Sequence, residues 1–297
     1  MAFVRDALSW VDTGAVQYPA LHKKIVELTM PALVVKKLFP EFPLVAGKTA
    51  TFVKQSGSRA AAILEISEGA EISMDFTPYT TVTVTPYKKG LRERISRENI
   101  EDLYIPVIED QLRRLARRMA YTIDKDCMTV IDSAAASSSA GTGVSLGATG
   151  TEFTISGGLG TKDILKAKAK IESYNFIPDS ILLNPVNARD VLYLPQFSLH
   201  LQYGEPVIQT GMLGTIYGLS TYVSTVVPVG TAYILSTGAN LSAAYAPLGF
   251  FVIKRPLMTD LEIKKEFDCV DVTLTTRYAP VITCGEAIFK VTGLAAS

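Results

Sequence analysis

The stretch from Pro106 to Asp132 carries the pattern that most restricts the fold of this chain. Its apolar residues recur every three or four positions, which places them in one stripe along a helix. They are Ile108, Leu112, Leu115, Met119, Ile123, Cys127 and Ile131. Pro106 suits the first helical turn, because an N–H there would have no partner. The pattern predicts a helix of about 40 Å that ends in a loop after Asp132.

The polar face of this predicted helix is rich in arginine, at Arg113, Arg114, Arg117 and Arg118. Glu109 and Asp110 precede the first two arginines by one turn, a spacing that supports a helix through ion pairs of a few tenths of a kcal/mol each. Two interpretations stay open. The face is either solvated and held by ion pairs, or it meets a neighbouring subunit or a polyanion.

Charge and cysteine content exclude several classes of protein. The 29 basic and 29 acidic residues cancel, so the chain lacks the positive field of a dedicated DNA-binding protein. Its three cysteines, Cys127, Cys269 and Cys284, are too few and too widely spaced for a disulfide framework or a zinc site. No apolar run reaches the roughly 18 residues of a membrane span. We expect a soluble chain made inside a cell, with no membrane partner.

The N-terminal third is predicted to be extended. Prolines at 31, 40 and 43 cut helices short, so residues 1–46 should form an arm with one or two helical turns. Residues 47–89 then alternate between apolar and polar positions, as strands do. Val82 and Val84 lie on one strand, Ala50 and Phe52 begin the opposing strand, and Ile72 to Phe76 alternates likewise. A hairpin of this kind is marginal alone, so we expect it to lie on another subunit.

The middle of the chain begins with a segment rich in Ala, Ser, Gly and Thr over residues 133–160, which predicts a flexible connection. Its final glycines do not form a phosphate loop, because Lys162 is followed by Asp163. A helix over 161–174 and a buried strand over 181–183 should follow. A short helix over 186–194 and two strands joined near Pro228 and Gly230 complete the predicted order.

Three short motifs stand in collinear order in this region: Asn184-Pro185, Gly214-Thr215-Ile216-Tyr217-Gly218, and Val227-Pro228-Val229-Gly230-Thr231-Ala232-Tyr233-Ile234. With them the chain resembles the major capsid proteins of tailed viruses, the family with the Hong Kong 97 fold. Residues 64–69, Leu-Glu-Ile-Ser-Glu-Gly, look like the acidic element of that family's extended loop. Ile95-Ser96 precedes a long helix, as in the family, and a short helix is predicted between them, over 96–104.

The resemblance implies an α+β fold with named parts. It places an N-terminal arm at 1–46, an E-loop hairpin at 47–89, a peripheral domain with the long spine helix at 90–132, an axial domain at 133–255, and returning strands of the peripheral domain at 256–297. It leaves open whether the chain is a mature form or relies on separate scaffolding.

The implied function is that of a major capsid protein. Such a protein self-assembles into pentamers and hexamers of an icosahedral virus head that encloses double-stranded DNA. The implied location is the virion capsid, with assembly in the host cytoplasm. Scaffolding, portal and decoration proteins are further possible partners. The alternative is an encapsulin, a cellular shell on the same fold that holds a cargo enzyme, although the proline-rich arm favours a virus.

The residues expected to have a function are therefore those that contact neighbouring subunits or DNA. No catalytic constellation is present, since His22 and His200 have no metal-site or base-site neighbourhood. We expect no enzyme, cofactor or metal. Salt bridges across subunits are predicted for the E-loop residues Lys54, Arg59, Glu65 and Glu68. Part of the Arg113 to Arg118 cluster is predicted to contact either a neighbouring subunit or the packaged DNA, the latter nonspecifically through phosphates.

Overall fold

The computed structural model of the chain describes residues 33–55, 79–98, 107–136, 152–173, 176–192, 214–238 and 248–294. Its helices are α1 (Val107–Ala136), α2 (Thr161–Ser173) and α3 (Pro185–Leu192). The strands of the first half are β1 (Glu41–Pro43), β2 (Ala50–Gln55), β3 (Tyr79–Val84), β4 (Tyr87–Ser96), β5 (Glu152–Gly157) and β6 (Ser180–Leu183). Those of the second half are β7 (Thr215–Ile216), β8 (Leu219–Val223), β9 (Ala232–Leu235), β10 (Gly249–Lys264), β11 (Cys269–Ile282) and β12 (Ile288–Leu294).

These strands form two sheets and a separate hairpin. The four-stranded sheet has the order β1-β10-β11-β4, with β1 parallel to β10 and the other neighbours antiparallel. The six-stranded sheet has the order β5-β12-β9-β6-β8-β7. The hairpin is β2-β3. The two long strands β10 and β11 form a ribbon that continues beyond β1, so its far part is flanked by β4 alone.

Helix α1 confirms the predicted spine. Its stripe is buried at every predicted position from Leu112 to Ile131, and Leu115, Cys127 and Ile131 have no exposed surface; the side chain of Ile108 lies outside the described residues. The helix continues four residues past Asp132, to Ala136. The expectation of a loop directly after Asp132 is therefore wrong. Alanine at 134–136 favours helix, and Ala135 is buried in the core.

The spine helix lies between the two sheets and serves the core of both. One core joins its stripe to Leu274 and Tyr278 of β11 and to Tyr233 and Leu235 of β9. A second core lies on the other face of the six-stranded sheet, where α2 and α3 cover residues such as Ile234. Successive residues of β6 and β9 therefore enter different cores, which explains why both strands are continuously apolar and buried.

Three aspartates on the spine helix each bind a different part of the fold. The buried carboxylate of Asp124 accepts backbone N–H bonds from Val34 and Lys36, at 2.8 and 3.0 Å, and so holds a 3₁₀ turn of the arm, Val35–Leu38. The other two carboxylates contact sheets. Asp126 accepts bonds from Lys89 of β4 and Tyr278 of β11, whereas Asp132 accepts bonds from Tyr233 of β9, at 2.6 Å, and Lys290 of β12, at 3.0 Å.

A fourth aspartate joins β4 to β11. Asp271 has no exposed surface, and Arg94 binds its carboxylate in a fork with distances of 2.8 and 3.1 Å. Arg92 contacts the same carboxylate and also Glu262, which is exposed. The hydrogen bond from Arg94 lowers the pKa of Asp271 to about 2, against the opposing effect of burial. The pair fixes β4 as the edge of the four-stranded sheet.

The family-like motifs meet in space. Asn184 donates from Nδ2 to the carbonyl of Val227, at 2.6 Å, and accepts from the N–H of Val186 at the start of α3. Asn187, which is fully buried, accepts from the N–H of Gly230 at 3.0 Å. Gly230 has a φ of +83°, a conformation that glycine adopts without strain. The Asn-Pro and Val-Pro-x-Gly elements are therefore two sides of one hydrogen-bonded contact.

The structure confirms or corrects three sequence predictions for the connections. The short helix expected over 96–104 is helical at 97–98, directly after Ser96 ends strand β4, and its remainder lies outside the described residues. The connection expected over 133–160 contains strand β5, which pairs in parallel with β12. The two strands expected to be joined near Pro228 and Gly230 are confirmed as β8 and β9, which do not pair with each other, because β6 lies between them.

Several predicted features fall outside the described residues. These are the arm up to residue 32, the part of the hairpin over 56–78, residues 99–106, and the connection over 137–151. Where the structure does describe the predicted elements, it confirms β2 and β3, helix α2, the buried strand β6, and the alternating strand β11.

We predict that Asp271→Asn lowers the urea midpoint of unfolding at pH 7, because the two arginines lose their ionised partner. A carboxyl whose pKa is lowered by folding stabilises above its unfolded pKa, about 3.9. That contribution disappears as the pH falls toward about 2. The difference between wild type and variant should therefore shrink below pH 4.

Glu262→Gln is the matched control for Asp271→Asn, since Glu262 binds the same Arg92 from an exposed position. It should change stability by less than about 1 kcal/mol at pH 7. An Asp271→Asn variant with the wild-type midpoint at pH 7 would contradict the assignment of Asp271 as a structural ion pair.

We predict that Asn184→Asp is more harmful than Asn184→Ser, although Asp is the closer isostere. Asp keeps the acceptor for Val186 but places an oxygen against the carbonyl of Val227, which should cost about 2–3 kcal/mol at pH 7 against about 1 for Ser. Burial should raise the pKa of the new carboxyl, and its protonated form can donate. The deficit should therefore grow as the pH rises from 4 to 7, measured by urea unfolding, whereas that of Asn184→Ser should stay constant.

Candidate subunit-contact surfaces

The base of the β2-β3 hairpin is fixed to the four-stranded sheet by aromatic rings. The two predicted strands pair with Phe52 opposite Val82. Phe52 stacks on Phe250 of β10 with ring centroids 4.7 Å apart, and Phe42 of β1 meets the Phe52 ring edge-on at 5.3 Å. These contacts hold the base of the hairpin against the four-stranded sheet. Val53, on the opposite face of β2, is 65% exposed and available for contact.

The predicted E-loop contact residues lie mostly beyond this base. Lys54 belongs to β2, where its backbone pairs with Thr80, but its side chain is outside the described residues. Arg59, Glu65 and Glu68 fall within 56–78, also outside them. Their role in subunit contacts stays a prediction.

The four arginines of the spine helix are all exposed, on the side away from the buried stripe. Arg113 and Arg114 each make a polar or electrostatic contact. Arg117 and Arg118 have no ion pair within the described part of the chain. Both line a groove of about 450 Å³ between α1 and β4, together with Lys89 and Tyr121. The ring of Tyr121 is 52% exposed.

This groove combines positive charge with an aromatic ring, a surface that can bind an anionic or amphipathic partner. The sequence identified its arginines but not Lys89 or Tyr121. Tyr121 follows Arg117 by four residues, which puts both on one helix face, and this spacing was the available signal. Lys89 carried no such signal, because only the pairing of β4 with β11 brings it to the helix.

Within the described ranges, no cluster of histidine, cysteine, aspartate or glutamate side chains has the geometry of a metal site. None of the described helices is long and apolar enough to cross a membrane. Cys127 and Cys269 are buried, Cys284 is half-buried, and all three are free thiols. Burial raises the pKa of the Cys127 thiol, with Asp124 and Asp126 adding to the effect.

The fold is that of capsid proteins. The capsid structure of the cyanophage P-SCSP1u superposes with a TM-score of 0.65 at 13% identity, over 88% of this chain and 87% of that one. The mature capsid of bacteriophage PhiM1 gives 0.61 at 11% identity, over 89% and 87%. The capsid of a native GTA particle gives 0.66 at 10% identity, over 89% and 91%. These likenesses establish a Hong Kong 97-like fold.

Comparison by sequence identifies the family of the chain. No curated protein matches the chain in sequence. The family model for phage capsid proteins matches residues 79–283, from the start of β3 to just past the end of β11. That match covers more than half of the 297 residues. The chain therefore belongs to the phage capsid protein family.

Proposed function

We propose that the chain is a major capsid protein that self-assembles into pentamers and hexamers of an icosahedral virus head enclosing double-stranded DNA. The observation that carries this proposal is the shared fold, since about nine tenths of the chain superposes on subunits of assembled phage capsids. Membership of the phage capsid protein family supports the same function. The work of such a subunit is mechanical, so we expect no catalytic reaction and no cofactor.

The proposed mechanism is geometric. A ring of identical subunits needs heterologous contacts, in which one surface meets a different surface of the next copy. The hairpin supplies one such surface, because Phe52 fixes its base to the four-stranded sheet while Val53 on its other face is exposed. Many modest contacts of this kind add up to a strong closed lattice.

The proposed division into parts follows the two sheets. The arm (1–46) contributes the Val35–Leu38 turn and β1, and the E-loop is 47–89. The spine helix and the four-stranded sheet form the peripheral domain. The six-stranded sheet with α2 and α3 forms the axial domain. The expected boundary after Arg255 falls inside strand β10, and β12, expected in the peripheral part, pairs with β9 in the six-stranded sheet. We therefore assign β12 to the axial domain.

The proposed partners follow from the same function. Packaged DNA is a nonspecific partner, in keeping with a net charge of zero. Lys54, Arg59, Glu65 and Glu68 are proposed to contact neighbouring subunits. Scaffolding, portal and decoration proteins are candidate partners of the shell, the proposed location is the virion capsid, and the proposed site of assembly is the host cytoplasm.

Electron microscopy with light scattering tests the proposed function directly. Purified protein should form closed shells, or rings of five and six subunits, and native particles should contain DNA by their absorbance ratio. Particles that hold a protein cargo and no DNA would instead favour the encapsulin alternative. A persistent monomer whose melting temperature rises with a small ligand would contradict a shell function and favour an enzyme.

A charge-reversal variant tests the spine-helix arginines. If Arg117 and Arg118 contact DNA phosphates, Arg117→Glu/Arg118→Glu should weaken binding of a short duplex. The slope of log affinity against log salt should fall by about 1.8, or about 0.9 per contact. Fluorescence anisotropy at several salt concentrations measures this slope.

The matched control reverses two exposed lysines elsewhere, Lys37→Glu/Lys162→Glu, and should leave the slope unchanged. An arginine variant with the wild-type slope would contradict DNA contact. If that variant also fails to assemble, the arginine face is a subunit contact.

A further inference from the structure

Five basic residues converge at the base of the β2-β3 hairpin, although they are distant in sequence. They are Lys48, Lys88, Lys254, Arg255 and Arg277, and they line one concavity of about 470 Å³ together with Pro86 and Tyr87. Strand pairing assembles this basic cluster, since β4 and β10 both lie beside β11. Local sequence patterns do not reveal this cluster, because none of its members is part of a charge run longer than two residues.

The basic cluster has no anionic counterpart in the described part of the chain. None of its five members forms an ion pair there. Two of them are held in place by backbone carbonyls: Lys254 donates to Val45 at 3.0 Å, and Arg277 donates from Nε to Pro86 at 2.9 Å. The Nε of Arg255 is buried and has no hydrogen-bond partner. The cluster therefore holds positive charge that no carboxylate of the described residues balances.

Like charges gathered in one concavity repel each other, and an anion placed among them removes that repulsion. Guanidinium groups favour carboxylates and phosphates, which accept two parallel hydrogen bonds. The chemistry of the basic cluster therefore favours an anionic group presented on a flexible or protruding partner.

The chain itself carries an acidic segment of matching charge. Residues 60–86 contain four acidic residues, Glu65, Glu68, Glu71 and Asp75, and no lysine, arginine or histidine. In sequence, its acidic residues lie between the paired strands of the same hairpin. The pair Gln55–Tyr79 lies five residue steps beyond the base pair Ala50–Val84, a distance of about 17 Å. The neighbouring copy in a shell is then the natural source of the carboxylates.

We propose that the basic cluster is the docking surface for the acidic segment of a second copy of this chain. This inference rests on the proposed shell function and adds to it the receiving surface, which the E-loop contact residues alone do not identify. Each subunit supplies one acidic segment and one basic cluster, so in a closed ring every cluster is occupied. DNA phosphate is the competing anion, but it would leave the acidic segments of all copies without partners.

Zero-length crosslinking provides the direct test. Particles are assembled from an equal mixture of ¹⁴N- and ¹⁵N-labelled protein and treated with a carbodiimide, which joins a carboxylate to a contacting lysine. Mass spectrometry should find Lys48 or Lys88 joined to one of the four acidic residues, in pairs of mixed isotope composition. Such links in unmixed isotope pairs alone would place the contact within one chain and overturn the proposal.

Charge exchange provides the functional test. Lys48→Glu/Lys88→Glu should raise the protein concentration needed for assembly by about tenfold, because both lysines are exposed and contribute charge to the cluster. Adding Glu65→Lys/Glu68→Lys to the same chain should restore assembly to near the wild-type concentration. Lys37→Glu/Lys162→Glu is the control with the same change of charge, and its assembly should match wild type. Urea unfolding of every variant checks that the subunit still folds.

The outcomes separate this inference from the proposed function. Wild-type shells with an unaffected lysine variant, or with no recovery on charge exchange, overturn the inference alone. A lysine variant that assembles normally but binds a DNA duplex more weakly assigns the basic cluster to DNA and also overturns it. A wild-type chain that never assembles overturns the proposed function, and the inference with it.

Discussion

The burial of one helix between two sheets is the constraint on which the rest of this structure depends. Helix α1 supplies the apolar stripe that both sheets need, so neither sheet has a complete core without it. The helix is 30 residues long and contacts both sheets. Its few polar contacts therefore fix its position along its axis. Asp124, Asp126 and Asp132 bind the arm, the four-stranded sheet and the six-stranded sheet in turn along the axis. Any shift of the helix along its axis breaks all three sets of bonds together.

Elements encoded by a local period were predictable from the sequence, and elements that depend on distant partners were not. The stripe of α1 and the alternation of β2 and β3 each reflect one buried face. The apolar run of β6 reflects two buried faces. Strand β4 was missed because Arg92 and Arg94 resemble the polar face of a helix until Asp271, far away in sequence, is known to receive them. Strand β5 was missed because it pairs with β12, which is distant in sequence.

The contact surfaces also divide into one that local sequence encodes and one that depends on distant residues. The spine-helix arginines were found because they are adjacent on one helix, whereas the basic cluster draws its members from positions 48 to 277 and exists only after strand pairing. The family-like motifs are an instructive intermediate case. Each is loose alone, but Asn184 of the first motif and Asn187, three residues later, bind Val227 and Gly230 of the other. Their collinear order was informative because the two elements form one physical contact.

The edges of the sheets protect this subunit against the wrong kind of self-association. A chain that must meet many copies of itself risks edge-to-edge strand pairing, which leads to aggregates. Strand β1, at one edge of the four-stranded sheet, has only three residues and ends in Pro43, and β7, at an edge of the six-stranded sheet, has two. Strand β4 is a long edge, but it carries Lys88, Lys89, Arg92 and Arg94. Charged side chains along an edge strand disfavour backbone pairing between two copies, so side-chain surfaces remain for copies to recognise one another.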